Sequence, residues 1–246
     1  MTGRRTLVTG GSRGIGAAIV GLLASQGHEI VLGYRADAEA AARTADAARG
    51  FGARCTLVQA DVTDPQQVAR LFAQAGAGLT GVVINAGGAF GIGPLADASP
   101  ADIAATVALN LTSALLVARE AARALAISRG GRGGVIVPIS SGAATLGSPN
   151  EFVAYAAAKA GVDTLARGLG LELARDGVRV VAIAPGLVDT DFHAAAGEPG
   201  RAERIAPTIP LGRGASAEEI AQAVAWAMSE AASYVTATVI RVAGGR

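Results

Sequence analysis

Thr6-Leu7-Val8-Thr9-Gly10-Gly11-Ser12-Arg13-Gly14-Ile15-Gly16 is the stretch on which the fold turns. Thr6, Leu7 and Val8 read as a short buried strand. The glycines that follow supply a tight turn, because a residue without Cβ reaches backbone angles closed to others. From Ala17 to Ala24 the chain carries a helical period that ends at Gly27. A strand, a glycine-rich turn and a helix start together make an anion site. Free N–H groups point outward there, and glycine lets a pyrophosphate approach the backbone. Gly10, Ser12, Arg13, Gly14, Ile15 and Gly16 are therefore candidate dinucleotide contacts.

Outward from this unit, short apolar runs recur between longer helical stretches. Strands are expected at residues 6–9, 29–33, 54–59, 81–85, 135–139, 178–184 and 238–242. Near-continuous apolar character in most of them predicts a parallel sheet buried on both faces. Alternation with helices gives right-handed crossovers, so the expected fold is α/β. It is a doubly wound, seven-stranded, mostly parallel sheet flanked by helices. Such sheets bind ligands beyond the carboxyl ends of their strands. Those ends carry Thr9, Tyr34-Arg35, Asp61-Val62, Asn85-Ala86-Gly87, Ser140-Ser141 and Pro185-Gly186. The chemically distinctive residues converge on one edge.

The 246 residues suit one α/β domain, and no linker, repeat or shift in composition marks a second. A net charge of +1 gives no electrostatic case for nucleic acid or a membrane surface. No apolar run is read as long enough to span a bilayer. Arg4-Arg5 leads straight into the glycine turn, which leaves no room for a secretory signal. Cys55, the single cysteine, lies in an apolar strand and fits a buried thiol in a reducing cytoplasm. With only His28 and His193, and no Cys/His cluster, no metal site is expected.

Tyr155 and Lys159 stand four residues apart in Ala154-Tyr155-Ala156-Ala157-Ala158-Lys159-Ala160, a stretch otherwise of alanine. Alanine is the best helix former, and residues i and i+4 share a helix face. A neighbouring ammonium favours the phenolate and brings a tyrosine toward the working range of a general acid or base.

Taken together, these features resemble the short-chain dehydrogenase/reductase family. Its TGxxxGxG motif stands as Thr9 to Gly16 and its YxxxK motif as Tyr155 to Lys159. Asn85-Ala86-Gly87 is similar to its NAG motif, Asn110 to its catalytic asparagine, and Ile139-Ser140-Ser141-Gly142 to its serine segment. Pro185-Gly186-Leu187-Val188-Asp189-Thr190 resembles its PG motif. The resemblance implies a single-domain Rossmann fold and a catalytic set of Asn110, Ser141, Tyr155 and Lys159. Ser140 competes with Ser141 on position alone, and alignment of the strand end selects Ser141. Asn110 would hold a water linking Lys159 to solvent. Lys159 would lower the Tyr155 pKa and bind the nicotinamide ribose. The resemblance also implies cofactor contacts at Asp61 and Val62 (adenine), at Asn85, Ala86 and Gly87, and at Pro185, Gly186, Val188 and Thr190. Val181 and Ala243 depart from the family's common Asn and Asp, and neither position supplies a proton.

An NAD-preferring domain usually ends its second strand with an acid. Here that place is Tyr34, followed by Arg35, and Arg13 lies in the glycine turn. Guanidinium groups hold a 2′-phosphate, so NADP is the expected cofactor, with Asp37 close enough to blur the preference. The implied activity is hydride transfer between the nicotinamide and a carbonyl or secondary alcohol: an acyl thioester, a sugar or a small ketone. A catalytically silent NADP-binding regulator and a sugar-nucleotide epimerase are the competing readings. Residues 190–213 mix Gly, Pro, Ala and charge without a firm period and read as the substrate loop, a candidate lid. The Ala/Leu-rich helices over 101–127 and 152–174, with segments 234–236 and 239–242, offer apolar surface for a homotetramer or homodimer, as in relatives.

Overall fold

A computed structural model describes residues 3–190, 192 and 196–246; His193 and Asp191 lie outside the described residues. Seven strands form one sheet in the order β3-β2-β1-β4-β5-β6-β7. They are β1 (Arg4–Thr9), β2 (His28–Tyr34), β3 (Cys55–Gln59), β4 (Gly81–Ile84), β5 (Gly134–Pro138), β6 (Val178–Pro185) and β7 (Thr238–Val242). Every pairing is parallel, so the expected mostly parallel sheet is parallel throughout. Each expected strand is present, with no end moved by more than two residues.

Neighbouring strand residues point to opposite faces, and the core divides accordingly. Leu7, Val31, Val82, Ile136 and Val180 pack under α3 (Pro65–Ala75), α5 (Ser113–Leu125) and α7 (Val153–Leu173). Val8, Leu32, Val83, Val137 and Val181 pack under α1 (Gly14–Ser25), α2 (Ala38–Gly50) and α9 (Ala217–Met228). Alternation within a continuous apolar run is what a sheet covered on both faces requires. Cys55 is buried among the second group, as a small apolar residue would be, and burial raises its thiol pKa.

Strand order reverses between β1 and β4, and a crevice opens above their carboxyl ends. Thr9 closes the seam beneath it: its hydroxyl accepts from the Asn85 N–H at 3.1 Å and donates to the Val83 carbonyl.

Three expectations need correction. The helix over 101–127 is not uniform, because a π-turn (Ala108–Thr112) joins α4 (Pro100–Val107) to α5. By length and composition Pro100–Leu125 could cross a bilayer, contrary to the sequence reading. It carries one face of buried residues, Ala114, Val117, Ala118, Ala121 and Leu125, against the sheet. Buried Thr106, Asn110 and Ser113 lie along its middle, the pattern of a core helix beside a site. Finally, the 190–213 segment, read as a loop, contains α8 (Arg201–Ile205), and another short helix, α6 (Ala143–Leu146), follows Ser141. Ile205 and Ile209 pack on Leu187 in a small separate cluster.

Candidate active site

The glycine turn owes its shape to positive φ at Gly10 (+64°) and Gly14 (+53°). Asn85 fixes it from β4: the side-chain amide donates to the carbonyls of Gly10 (2.9 Å) and Thr9 (3.1 Å). A Cβ at Gly16 would collide with the Gly10 carbonyl and stand 2.6 Å from Asn85 Nδ2. The turn is thus a cradle that one methyl group would fill. Helix α1 starts directly after it with no side-chain cap and no acid in its first turn. Its first N–H groups remain available to an anion, with the positive end of the helix dipole behind them.

Arg13 and Arg35 are exposed on either side of this helix start and line the same cavity. Among the described residues neither has an ion-pair partner. Asp37, the nearby acid, is engaged elsewhere: it caps α2 by accepting from the Ala40 N–H at 2.9 Å. The residues present therefore fit a dinucleotide, with two guanidinium groups beside the helix start.

One cavity of about 940 Å³ runs from this cradle to Tyr155. All of the sequence-predicted site residues line it except Asn110. That asparagine is buried one layer behind. Its side-chain amide donates to the carbonyls of Gly88 (2.7 Å) and Thr106 (2.9 Å), and its Oδ1 accepts from the Gly88 N–H (3.1 Å). The π-turn aims it there, and such turns recur where a helix meets a site. A Cβ at Gly87 would meet Asn110 Oδ1 at 2.9 Å and Lys159 Nζ at 3.3 Å, so this glycine keeps the strand end close to both.

At the other end of the cavity the two serines separate. Ser140 is buried, and its hydroxyl bonds the Lys159 carbonyl (3.3 Å) and the Asp163 carboxylate. Its partners are thus a side chain and the α7 backbone. Ser141 faces Tyr155 and favours the phenolate, while its Oγ accepts from the Ala143 N–H at 3.1 Å. Burial dominates the phenol and pushes its pKa up to about 12, against the smaller pull of Ser141 and of the Arg201 guanidinium. Lys159 is buried on the same helix face, its Nζ 5.6 Å from the Tyr155 ring centroid. That ammonium donates to the Ile139 carbonyl at 2.9 Å, and no hydrogen bond joins it to the phenol. Burial brings its pKa down to about 8, with Asp163 opposing. Lys159 and Arg201 are the two cations on the phenol's side of the cavity, and the pull of Arg201 on the phenol is smaller than that of Ser141.

Several residues of the site escaped the motif reading. Phe152 and Phe192 form an aromatic group with Tyr155, at centroid separations of 6.3, 6.2 and 5.6 Å. Glu151, Arg201 and Arg204 form an ion-pair cluster beside it. The i, i+3 spacing of the two arginines was visible in the sequence, but their partner, some fifty residues away, was not.

A helix start suited to phosphates and a proton-active phenol within one cavity belong to dinucleotide-dependent oxidoreductases as a class. Known proteins supply the family. A family model described as enoyl-(acyl carrier protein) reductase matches residues 10–246. The chain is similar to YgfF of Escherichia coli, an uncharacterized oxidoreductase, with 42% identity over 243 residues covering 98% of each. It is 38% identical over 245 residues to the cis-4-hydroxycyclohexanecarboxylate dehydrogenase of Sinomonas cyclohexanicum, covering 98% of this chain and 96% of that one. A short-chain dehydrogenase of Burkholderia cenocepacia, solved in complex with NADP, matches with a TM-score of 0.89 at 33% identity. That match covers 99% of this chain and 98% of the other. The chain belongs to the short-chain dehydrogenase/reductase family. It is an NAD(P)-dependent oxidoreductase of alcohol and carbonyl groups, which sets aside the silent-regulator and epimerase readings.

Proposed function

We propose that this enzyme uses NADP(H) to interconvert an apolar ketone and its secondary alcohol, with Tyr155 as the proton-transfer group. The observation that carries the reading is the single cavity joining Arg13 and Arg35 at one end to Ser141, Tyr155 and Lys159 at the other. Arg13 and Arg35 would hold the 2′-phosphate, and the α1 start the pyrophosphate. Asp61 and Val62 would flank the adenine. Asn85, Ala86, Gly87 and Lys159 would meet the ribose, and Pro185, Gly186, Val188 and Thr190 the carboxamide end. When bound, the nicotinamide supplies or accepts the hydride, so the protein's task is to orient it and manage one proton.

With a pKa near 12, Tyr155 holds its proton at physiological pH, which suits donation to an alkoxide during reduction. Ser141 would hydrogen-bond the substrate oxygen and stabilise charge growing there. Asn110 holds the Gly88 turn with its whole amide, leaving one lone pair of Oδ1 for a water toward Lys159. Phe152, Phe192, Leu146 and Ile205 favour a substrate with an apolar body, against a bare sugar. The relative from Sinomonas, named for an alicyclic hydroxy acid, supports that choice. We read residues 1–246 as one catalytic domain that self-associates, and the cytoplasm as its compartment.

The test pairs NADPH absorbance over a panel of ketones and acyl thioesters with direct titration of NADPH and NADH. NADPH is expected to bind more tightly than NADH, and equal affinity would refute the phosphate assignment. Tyr155→Phe should lower kcat by about a hundred- to ten-thousand-fold with NADPH affinity nearly intact. Turnover within a few-fold of wild type would remove the tyrosine from its role.

A further inference from the structure

A second, smaller cavity of about 140 Å³ adjoins the large one. Ala89, Glu151, Phe152 and Tyr155 line both, so the phenol belongs to the wall of each. The rest of the lining comes from the stretch after β4, from α4 and from the start of α7. Phe90, Ile92 and Leu95 supply apolar side chains from that stretch, Ile103 from α4 and Val153 from α7. None of these five lines the large cavity.

The course of the stretch is fixed at both ends. Gly91 (φ +70°) and Gly93 (φ +156°) hold backbone angles that other residues rarely adopt, and a Cβ at either would meet nothing. These glycines therefore serve the turn and not a close approach. The Gly93 N–H donates to the Glu151 carbonyl at 3.0 Å, which fastens the stretch to the turn before α7. Further on, Ser99 caps α4 by accepting from the Asp102 N–H at 3.0 Å. Held in this way, Phe90 (40% exposed), Ile92 (36%) and Leu95 (47%) stay partly in water beside the site. Apolar side chains gathered around a hollow gain free energy when an apolar group fills it.

We infer that this cavity is a substrate subsite, which takes one uncharged ring carried by the ketone and so selects among ketones. The inference rests on the reading of Tyr155 as the proton-transfer group. Size points to a ring, since an apolar hollow of about 150 Å³ takes one benzene molecule. Charge excludes an anion: Asp97, Asp102 and Glu151 line the cavity, and among the described residues no Lys, Arg or His does. Position points to the substrate itself, because Phe152 and Tyr155 are shared with the cavity in which the carbonyl would stand.

The experiment compares 4-phenylbutan-2-one with butan-2-one, which differ by the ring alone. Each is titrated calorimetrically into the enzyme saturated with NADP, whose oxidised nicotinamide cannot reduce a ketone. Both are then assayed with NADPH. The wild type should prefer the phenyl ketone by about tenfold or more, in affinity and in kcat/KM. Leu95→Trp and Ile92→Trp place an indole in the cavity from exposed positions, with NADPH affinity as the control for an intact fold. Each should cut the preference to within about twofold. A preference kept in full by both variants, or absent from the wild type, would overturn the subsite. A lower mass in light scattering with the preference kept would assign the stretch to contact with a second copy, and overturn it as well. Should the ring bind as expected while neither ketone is reduced, the reading of the reaction fails and the subsite stands.

Discussion

At the end of β5 two hydroxyls one residue apart face opposite ways. Ser140 turns toward α7 and joins its hydroxyl to the buried Asp163 carboxylate, whereas Ser141 turns into the cavity toward Tyr155. The first contact satisfies a charged group withdrawn from water, where a missing donor is costly. Ser140→Ala should therefore lower stability by about 1–3 kcal/mol, read as a fall in the urea midpoint. The kcat of the folded fraction should stay within a few-fold of wild type. Ser141→Ala should do the reverse: an unchanged urea midpoint, and a kcat lowered about a hundredfold by loss of a donor at the substrate oxygen. If both variants lose activity with stability intact, the division between the serines is wrong.

Among the elements, the seam between β1 and β2 carries a titratable group with no role in the chemistry. His28 opens β2, is buried, and shares a 2.8 Å hydrogen bond between its Nδ1 and the Thr6 hydroxyl of β1. Burial first, and the charge of Arg4 second, bring its pKa from 6.5 down to about 4. Between these values the unfolded chain binds a proton that the folded chain refuses. Stability from this residue is thus complete above pH 6.5 and falls as pH drops toward 4. At pH 5 the loss should be about 2 kcal/mol, read as a lower urea midpoint than at pH 7.5. His28→Gln should flatten the difference, and an equal drop in the variant would assign it to carboxylates instead. The other element with a consequence is the π-turn. It takes Asn110 out of the regular helical track and lets one side chain hold both the N–H and the carbonyl of Gly88.

Over the whole molecule, the sheet buries both faces, yet its outer helices keep large apolar side chains in water. Leu115 on α5 is 47% exposed, Leu171 on α7 75%, and Trp226 on α9 41%. Tyr234, between α9 and β7, is fully exposed, and β7 is an edge strand with one side unpaired. Apolar groups left in water and an open sheet edge favour association with a second copy. Light scattering at micromolar concentration should give the mass of a dimer or tetramer. A monomer mass would exclude it.

The sequence by itself determined the sheet, the glycine cradle and the YxxxK helix, because each rests on short-range physics. Glycine alone permits the turn at Gly10 and Gly14, apolar runs mark strands buried on both faces, and alanine around Tyr155 fixes a helix on which Lys159 shares a face. It left Ser140 and Ser141 competing on position alone, since both lie beyond the end of β5. Which of the two meets the phenol was decided by where α7 packs. Tertiary structure alone decided that Arg13 and Arg35 line one cavity with Ser141, Tyr155 and Lys159. It also turned Lys159 to the Ile139 carbonyl and set Arg201 against Phe152 and Glu151. Those outcomes depend on direction and distance between residues far apart in the chain, and no local period encodes them.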